Sequence, residues 1–337
     1  MSLSRADWPI AASMLPFSAV APSGVPVQDA EPEEWARVLD EVADAGFTCV
    51  DFTDNWVKVG DLSAERLEDL AEASRRAGLR PASISAIRRS VIDAENGAEN
   101  LAYSHRTLEA AARLGIEVVS FGLHQALTAE QREQLWFWTV EGHRDDPDDV
   151  DAWELAVSRL RELGRHAEEL GLLVSLELYE DTYLGSADSS VRLVEEIGLA
   201  NVGLNPDIGN LIRLHRPVES WEELVAKTVP YANFWHVKNY ARDEDRAKGQ
   251  YFAVPAPMES GLINYRAAIA SAIAAGFQGI LCTENYGGDG LSVCAANRDY
   301  LLRHALPKTA DYTLGTSRVR QGSLSMPASA PSRPSAY

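Results

Sequence analysis

The chain has 337 residues, enough for one large barrel domain or two smaller ones, and its 46% apolar content supports a full core. A formal charge of −19 opposes binding to nucleic acid or anionic membrane surfaces, and no apolar stretch approaches the ~20 residues of a membrane span. Met1 to Pro9 lacks the apolar segment of a secretory signal, and Cys49, Cys282 and Cys294 are an odd set without paired spacing, so reduced thiols and a cytoplasmic location are expected.

Strand-like and helix-like segments alternate along the chain. Strands are expected at Ile10–Leu15, Cys49–Thr53, Pro81–Ala86 and Val118–Gly122. Four more end in Leu173–Glu177, Val202–Asp207, Ala232–His236 and Ile280–Glu284. Between them, helices are expected at Glu33–Ala45, Ser63–Ala77, Asn96–Leu114, Trp153–Leu170, Ala187–Ile197 and Asn264–Ala275. Each is followed by a glycine: Gly46, Gly78, Gly115, Gly171, Gly198 and Gly276. Helix, glycine and a prompt strand is the connection chemistry of repeated βα units. Eight such units make a (β/α)8 barrel over residues 1–307, a fold of about 250 residues. An open doubly wound sheet also alternates, but it would more often show a glycine-rich phosphate loop, and none is present.

Two segments exceed the minimal barrel. A long loop after the fourth strand, His124 to about Val150, carries Trp136-Phe137-Trp138 and His143. Loops of this length usually have work to do, and this one leaves the catalytic end of a barrel. The tail, 308–337, is rich in Ser, Ala and Pro and is expected to be disordered or draped over a surface.

The last four strands each end in a ligand-type residue: Glu177, Asp207, His236 and Glu284. Side chains at strand ends in a parallel barrel converge on one rim. Three carboxylates and one imidazole suit a hard divalent ion such as Mn²⁺ or Mg²⁺. Each residue alone reads more simply as a solvated loop group, and His236 also as a hydrogen-bonded core histidine; four on successive strands favour the metal reading.

The runs Leu176-Glu177, Asn205-Pro206-Asp207-Ile208-Gly209, Trp235-His236-Val237-Lys238 and Thr283-Glu284 resemble those of the xylose-isomerase-like barrels. That superfamily of sugar-phosphate isomerases and epimerases also includes endonuclease-type barrels, and the resemblance spans roughly residues 8–306. It implies a TIM barrel with one divalent ion held by these four residues. Many members carry His three residues after the Asp ligand, where this chain has Asn210, so an endonuclease or multi-zinc role does not transfer. Longer runs, from Asn205 to Pro217, Trp235 to Asp243, Pro255 to Asn264 and Glu284 to Asp289, resemble the large, metal-bearing subunit of bacterial C-glycoside deglycosidases. That branch implies a small β-rich second subunit, hence a hetero-oligomer, and cleavage of the carbon–carbon bond of a 3-oxo-C-glucoside. In that chemistry the C2 proton is removed, a divalent cation stabilises the enolate as a Lewis acid, and the aglycone leaves. The same equipment serves keto-sugar isomerases and epimerases, which form the alternative; a non-catalytic sugar-binding scaffold is the third reading.

His143 is the candidate base, set against an ordinary surface histidine, with Glu141 as a substitute. His124 either contacts substrate or caps a strand end. Lys238 binds a sugar oxygen or pairs with Glu177 or Asp207. Trp138 belongs to an aromatic wall for substrate or to a helix core, and Glu259 is the remaining candidate for substrate binding.

Overall fold

Eight short parallel strands form the centre of the molecule in the computed structural model, which describes residues 2–322. They are β1 (Ile10–Ser13), β2 (Cys49–Thr53), β3 (Arg80–Ser85), β4 (Val118–Phe121), β5 (Leu173–Glu177), β6 (Val202–Asn205), β7 (Phe234–Val237) and β10 (Ile280–Thr283). Their order is β6-β5-β4-β3-β2-β1-β10-β7, and every ladder between them is parallel. The ring nearly closes between β6 and β7, where one bridge joins Leu204 to Ala232. Side chains complete that seam: the Asn205 Oδ1 accepts from the His236 backbone N–H at 2.7 Å, and Asn233 Nδ2 donates to the Val174 carbonyl at 3.0 Å. β6 ends before Pro206, whose ring nitrogen has no proton to give the ladder.

Residues alternate between the barrel interior and the helical layer. The interior is graded along its axis. Cys49, Val118, Leu173, Phe234 and Ile280 close the N-terminal end, and Asp51, Ser85, Ser120, Ser175, Asn205 and His236 fill the middle, all buried. Glu177, Asp207, Lys238 and Glu284 stand at the C-terminal rim, where βα loops build a site.

The helices pack apolar faces against the outside of the barrel. All six expected helices are present with ends shifted by up to three residues, among them α1 (Pro32–Asp44), α2 (Ala64–Ala77), α3 (Gly97–Leu114), α5 (Val150–Glu169), α6 (Ala187–Ile197) and α9 (Tyr265–Ala274). The glycine after each adopts a positive φ, between 67° and 89°, as a left-handed terminator does. Further helices go beyond the expectation. A short α4 (Ala129–Glu133) opens the long loop, α8 (Trp221–Thr228) starts at a Ser220/Glu223 capping box, and α10 (Gly290–Tyr300) follows Asp289 as its cap. An antiparallel hairpin, β8 (Asn239–Asp245) with β9 (Gln250–Ala256), rises from the rim directly after β7. Its strands are rich in charge, which hides the period-two pattern from sequence reading.

Residues 308–322 of the tail lie along the opposite end of the barrel. Arg318 and Arg320 backbone N–H groups bond the Pro230 and Ala200 carbonyls at 2.9 and 2.7 Å, and Gln321 Nε2 donates to the Ala232 carbonyl at 2.8 Å. The draped expectation holds for this half, and 323–337 fall outside the described residues. Among the described residues no helix is long and apolar enough to cross a membrane.

Candidate metal centre

Glu177 ends β5, Asp207 lies two residues past β6, His236 sits within β7 and Glu284 follows β10. One ligand atom from each lies within 4.8 Å of the others, and all four residues are buried. His236 Nδ1 faces the three carboxylates, at 3.6 Å from Glu177 Oε1, 3.9 Å from Asp207 Oδ2 and 3.8 Å from Glu284 Oε2. These separations exceed hydrogen-bond length. His236 Nδ1 and Asp207 Oδ1 accordingly have no hydrogen-bond partner, although buried polar atoms nearly always find one. Orphaned ligand atoms of hard character, converging in a buried pocket, fit a divalent cation.

The charge balance points the same way. Lys238 Nζ approaches Asp207 Oδ2 at 2.7 Å and touches Glu284, so the ammonium pairs with two of the three carboxylates. Of the two pairings expected for Lys238, with Glu177 or Asp207, it makes the second. Burial works against the Lys238 charge, but Asp207 and Glu284 more than offset it and hold its pKa well above the ordinary lysine value. Burial pushes Asp207 up to about 7 despite that ammonium, which reports the cost of crowding acids away from water. Asn210, three residues after Asp207, donates its Nδ2–H to Glu177 Oε1 at 3.0 Å, orienting that carboxylate.

His124 is buried beside the cradle, its Nε2 4.0 Å from Glu177 Oε2 and its ring stacked on Tyr179 at 4.2 Å. Burial pushes its pKa down to about 4, so at neutral pH it offers a neutral imidazole. His143 is exposed on the long loop and lines one cleft with His124, Arg88, Gln125 and Tyr179. Glu141 and Glu259 are both exposed.

The long loop crosses the rim and is fastened there by its aromatic residues. Phe137–Thr139 form a single 3-10 turn rather than part of a helix. Trp138 is buried, donates Nε1–H to the Ala253 carbonyl on the hairpin at 3.2 Å, and receives a hydrogen bond on its own carbonyl from His215. It stacks on Trp136 and meets Tyr240 and Tyr286 edge-on. Trp136, Phe137 and Tyr286 remain partly exposed, and the Tyr286 ring stands 5.1 Å from Lys238 Nζ.

Sequence reading missed three charged groups in this region. Arg213 is fully buried, gripping both Glu180 oxygens at 2.9 and 3.0 Å beneath the rings of Phe137, Trp138 and Tyr286. Arg88 holds a left-handed φ of 55° and donates to the Tyr179 hydroxyl at 3.0 Å and the Gln125 carbonyl at 2.9 Å. A non-glycine residue in that region is held there by its surroundings. Asp51, in the middle of β2, was hidden by its apolar neighbours; a charge within such a run is itself the signal.

Asp54 pins the loop that carries Arg88, accepting from Ile87 N–H at 2.8 Å and from Arg89 Nε at 3.2 Å. Burial raises its pKa from 3.8 to about 6 against both contacts. A carboxyl whose folded pKa is raised favours the folded state at low pH, and that contribution is lost as pH rises through about 6. The stability difference between Asp54→Asn and the parent should therefore move by about 2 kcal/mol in the variant's favour between pH 4 and 7. Urea titrations at both pH values measure it, and parallel pH profiles would contradict the assignment.

Residues 39–306 match the family model described as xylose isomerase-like TIM barrel. A xylose isomerase-like TIM barrel protein from Mycobacterium smegmatis, solved in complex with magnesium, is 47% identical, with a TM-score of 0.85 over 89% of this chain and 97% of that one. The 3-keto-D-glucoside 4-epimerase of E. coli has a TM-score of 0.60 at 16% identity over 88% and 99% of the two chains. The IOLI protein, solved with a bound zinc atom, has a TM-score of 0.59 at 14% identity over 87% and 97%. The last two likenesses concern the fold. No curated protein matches the chain.

Proposed function

The chain belongs to the xylose isomerase-like TIM barrel family, and from that premise we propose that it is a divalent-metal-dependent enzyme that cleaves the carbon–carbon bond of a 3-oxo-C-glucoside. The observation that carries the metal-dependent part is the cradle of Glu177, Asp207, His236 and Glu284, with its orphaned His236 Nδ1. Mn²⁺ is the proposed ion; the magnesium of the M. smegmatis relative has the same preference for oxygen donors. A bound divalent ion supplies Lewis acidity to the carbonyl side of the sugar, which lowers the cost of losing the neighbouring proton.

The chain's own residues supply the rest. Lys238 and the neutral His124, both beside the cradle, bind sugar oxygens and fix the ring. The partly exposed rings of Phe137 and Tyr286, set edge-on to one another at 69°, offer an apolar wall for an aromatic aglycone. His143 takes the C2 proton. The C2–H electron pair then forms the C1–C2 double bond, the C1–aryl pair leaves with the aryl carbon, and that carbon takes the proton His143 carries, so the aglycone departs as the free arene. If the proton instead returns to carbon with the bond intact, the result is a rearranged sugar, the isomerase or epimerase alternative that the same cradle serves. The aromatic wall favours cleavage. A small β-rich second subunit belongs to this reading, and intact-mass measurement of the co-purified complex tests it.

Incubation with a 3-oxo-C-glucoside, with and without chelator, distinguishes these outcomes by chromatography. Chelator-sensitive release of free aglycone is expected; a rearranged sugar selects the alternative, and indifference to chelator overturns both. His143→Ala should lower kcat by about 10²–10⁴-fold, the range of general-base assistance, with Mn²⁺ affinity unchanged. A kcat equal to the parent's would remove His143 from the mechanism.

A further inference from the structure

Asp51 has no role in the cradle as described, yet it lies at the centre of the barrel with no exposed surface. Ser83 and Ser85, on the neighbouring strand, donate to its Oδ1 at 2.6 and 3.1 Å. Its Oδ2 has no hydrogen-bond partner and lies 3.6 Å from His236 Nε2. Ser85 Oγ stands 3.2 Å from the same nitrogen. Because the Ser85 proton points to Asp51, its oxygen is free to accept from His236. The two imidazole nitrogens are thus divided: Nε2 faces Asp51 and Ser85, and Nδ1 faces the three carboxylates.

From this geometry we infer that Asp51, with Ser85, is a positioning residue that holds the proton of His236 on Nε2 and so presents a bare Nδ1 lone pair to a divalent cation. The inference rests on the cradle reading above. A metal-bound histidine commonly gives its second N–H to a carboxylate, which fixes the tautomer and ring orientation. Here that carboxylate comes from β2 and the hydroxyl from β3, which lies opposite β7 in the ring. A charged group in a barrel core costs desolvation that an apolar residue avoids, so the fold alone gives no reason for Asp51. Asp51, His236 and Cys282 also converge, but Ser85 already faces His236 Nε2 at 3.2 Å.

Calorimetric titration of the metal-free protein with Mn²⁺ tests this directly. Asp51→Ala should bind ~10–100-fold more weakly than the parent, the usual cost of losing such a partner. Asp51→Asn, whose carboxamide oxygen still accepts from Nε2–H, should recover part of that loss. Ser83→Ala removes a hydrogen bond from Asp51 without touching His236 and should stay within about threefold of the parent. If Asp51→Ala does not fold, Ser85→Ala carries the test, with an expected loss of several-fold. Parental affinity in whichever of these two variants is measured overturns the inference, as does a Ser83→Ala loss as large as that variant's, which would make the effect one of packing. A parent protein that binds no Mn²⁺ overturns the cradle itself, and this inference with it.

Discussion

A His236→Ala variant should hold no stoichiometric divalent ion where the parent is saturated, and should lose activity on an oxidised C-glycoside by about 10³-fold or more. His236 is the cradle's only nitrogen donor, and its Nδ1 is within 4 Å of all three carboxylates. Without it, Glu177, Asp207 and Glu284 face one another around a gap with only Lys238 to balance them. Lewis-acid assistance is worth several kcal/mol, and each ~1.4 kcal/mol is tenfold in rate, which sets the size of the loss. Elemental analysis and a chromatographic assay read the two effects separately. Full metal content in His236→Ala would mean that the carboxylates bind the ion without the imidazole, and retained activity would mean that the reaction does not pass through this site.

Arg213→Met should destabilise the protein by about 3–5 kcal/mol, the usual cost of leaving one member of a buried ion pair alone. Arg213 has no exposed side-chain surface and Glu180 only 5%, so neither charge has recourse to water. The guanidinium also sits under the faces of Phe137, Trp138 and Tyr286, so methionine forfeits ring contacts that fasten the long loop. Exchanging both members, as Arg213→Met with Glu180→Leu, should recover most of the loss, because a buried pair can often be replaced by apolar groups at little cost. Urea midpoints with matched slopes decide between these outcomes. A single variant within about 1 kcal/mol of the parent would show that Glu180 finds solvent or another partner.

The barrel was legible because its signals are local. Strands such as Cys49–Thr53 and Leu173–Glu177 are short apolar runs, and the six helix-ending glycines mark their own turns. The cradle was legible for a topological reason: a parallel barrel sends every strand end to one rim, so residues that close four successive strands must meet. The partners of those residues were not legible, since pairing across a barrel depends on the register of strands distant in sequence. Asp51 and Ser85 reach His236 only because β2, β3 and β7 stand at matched heights. The Arg213–Glu180 pair joins two loops and has no spacing signature. The hairpin from Asn239 to Ala256 went unseen because its strands carry Arg242, Asp243, Glu244 and Asp245 in succession. The helix at Trp221–Thr228 could have been found, since Ser220 and Glu223 spell a capping box.

Anomalous diffraction from a crystal soaked in Mn²⁺ tests the central claim most directly. One peak bounded by Glu177, Asp207, His236 Nδ1 and Glu284, and lost after soaking in chelator, is the predicted map. A map without density among those four side chains, or with manganese bound elsewhere, would contradict it.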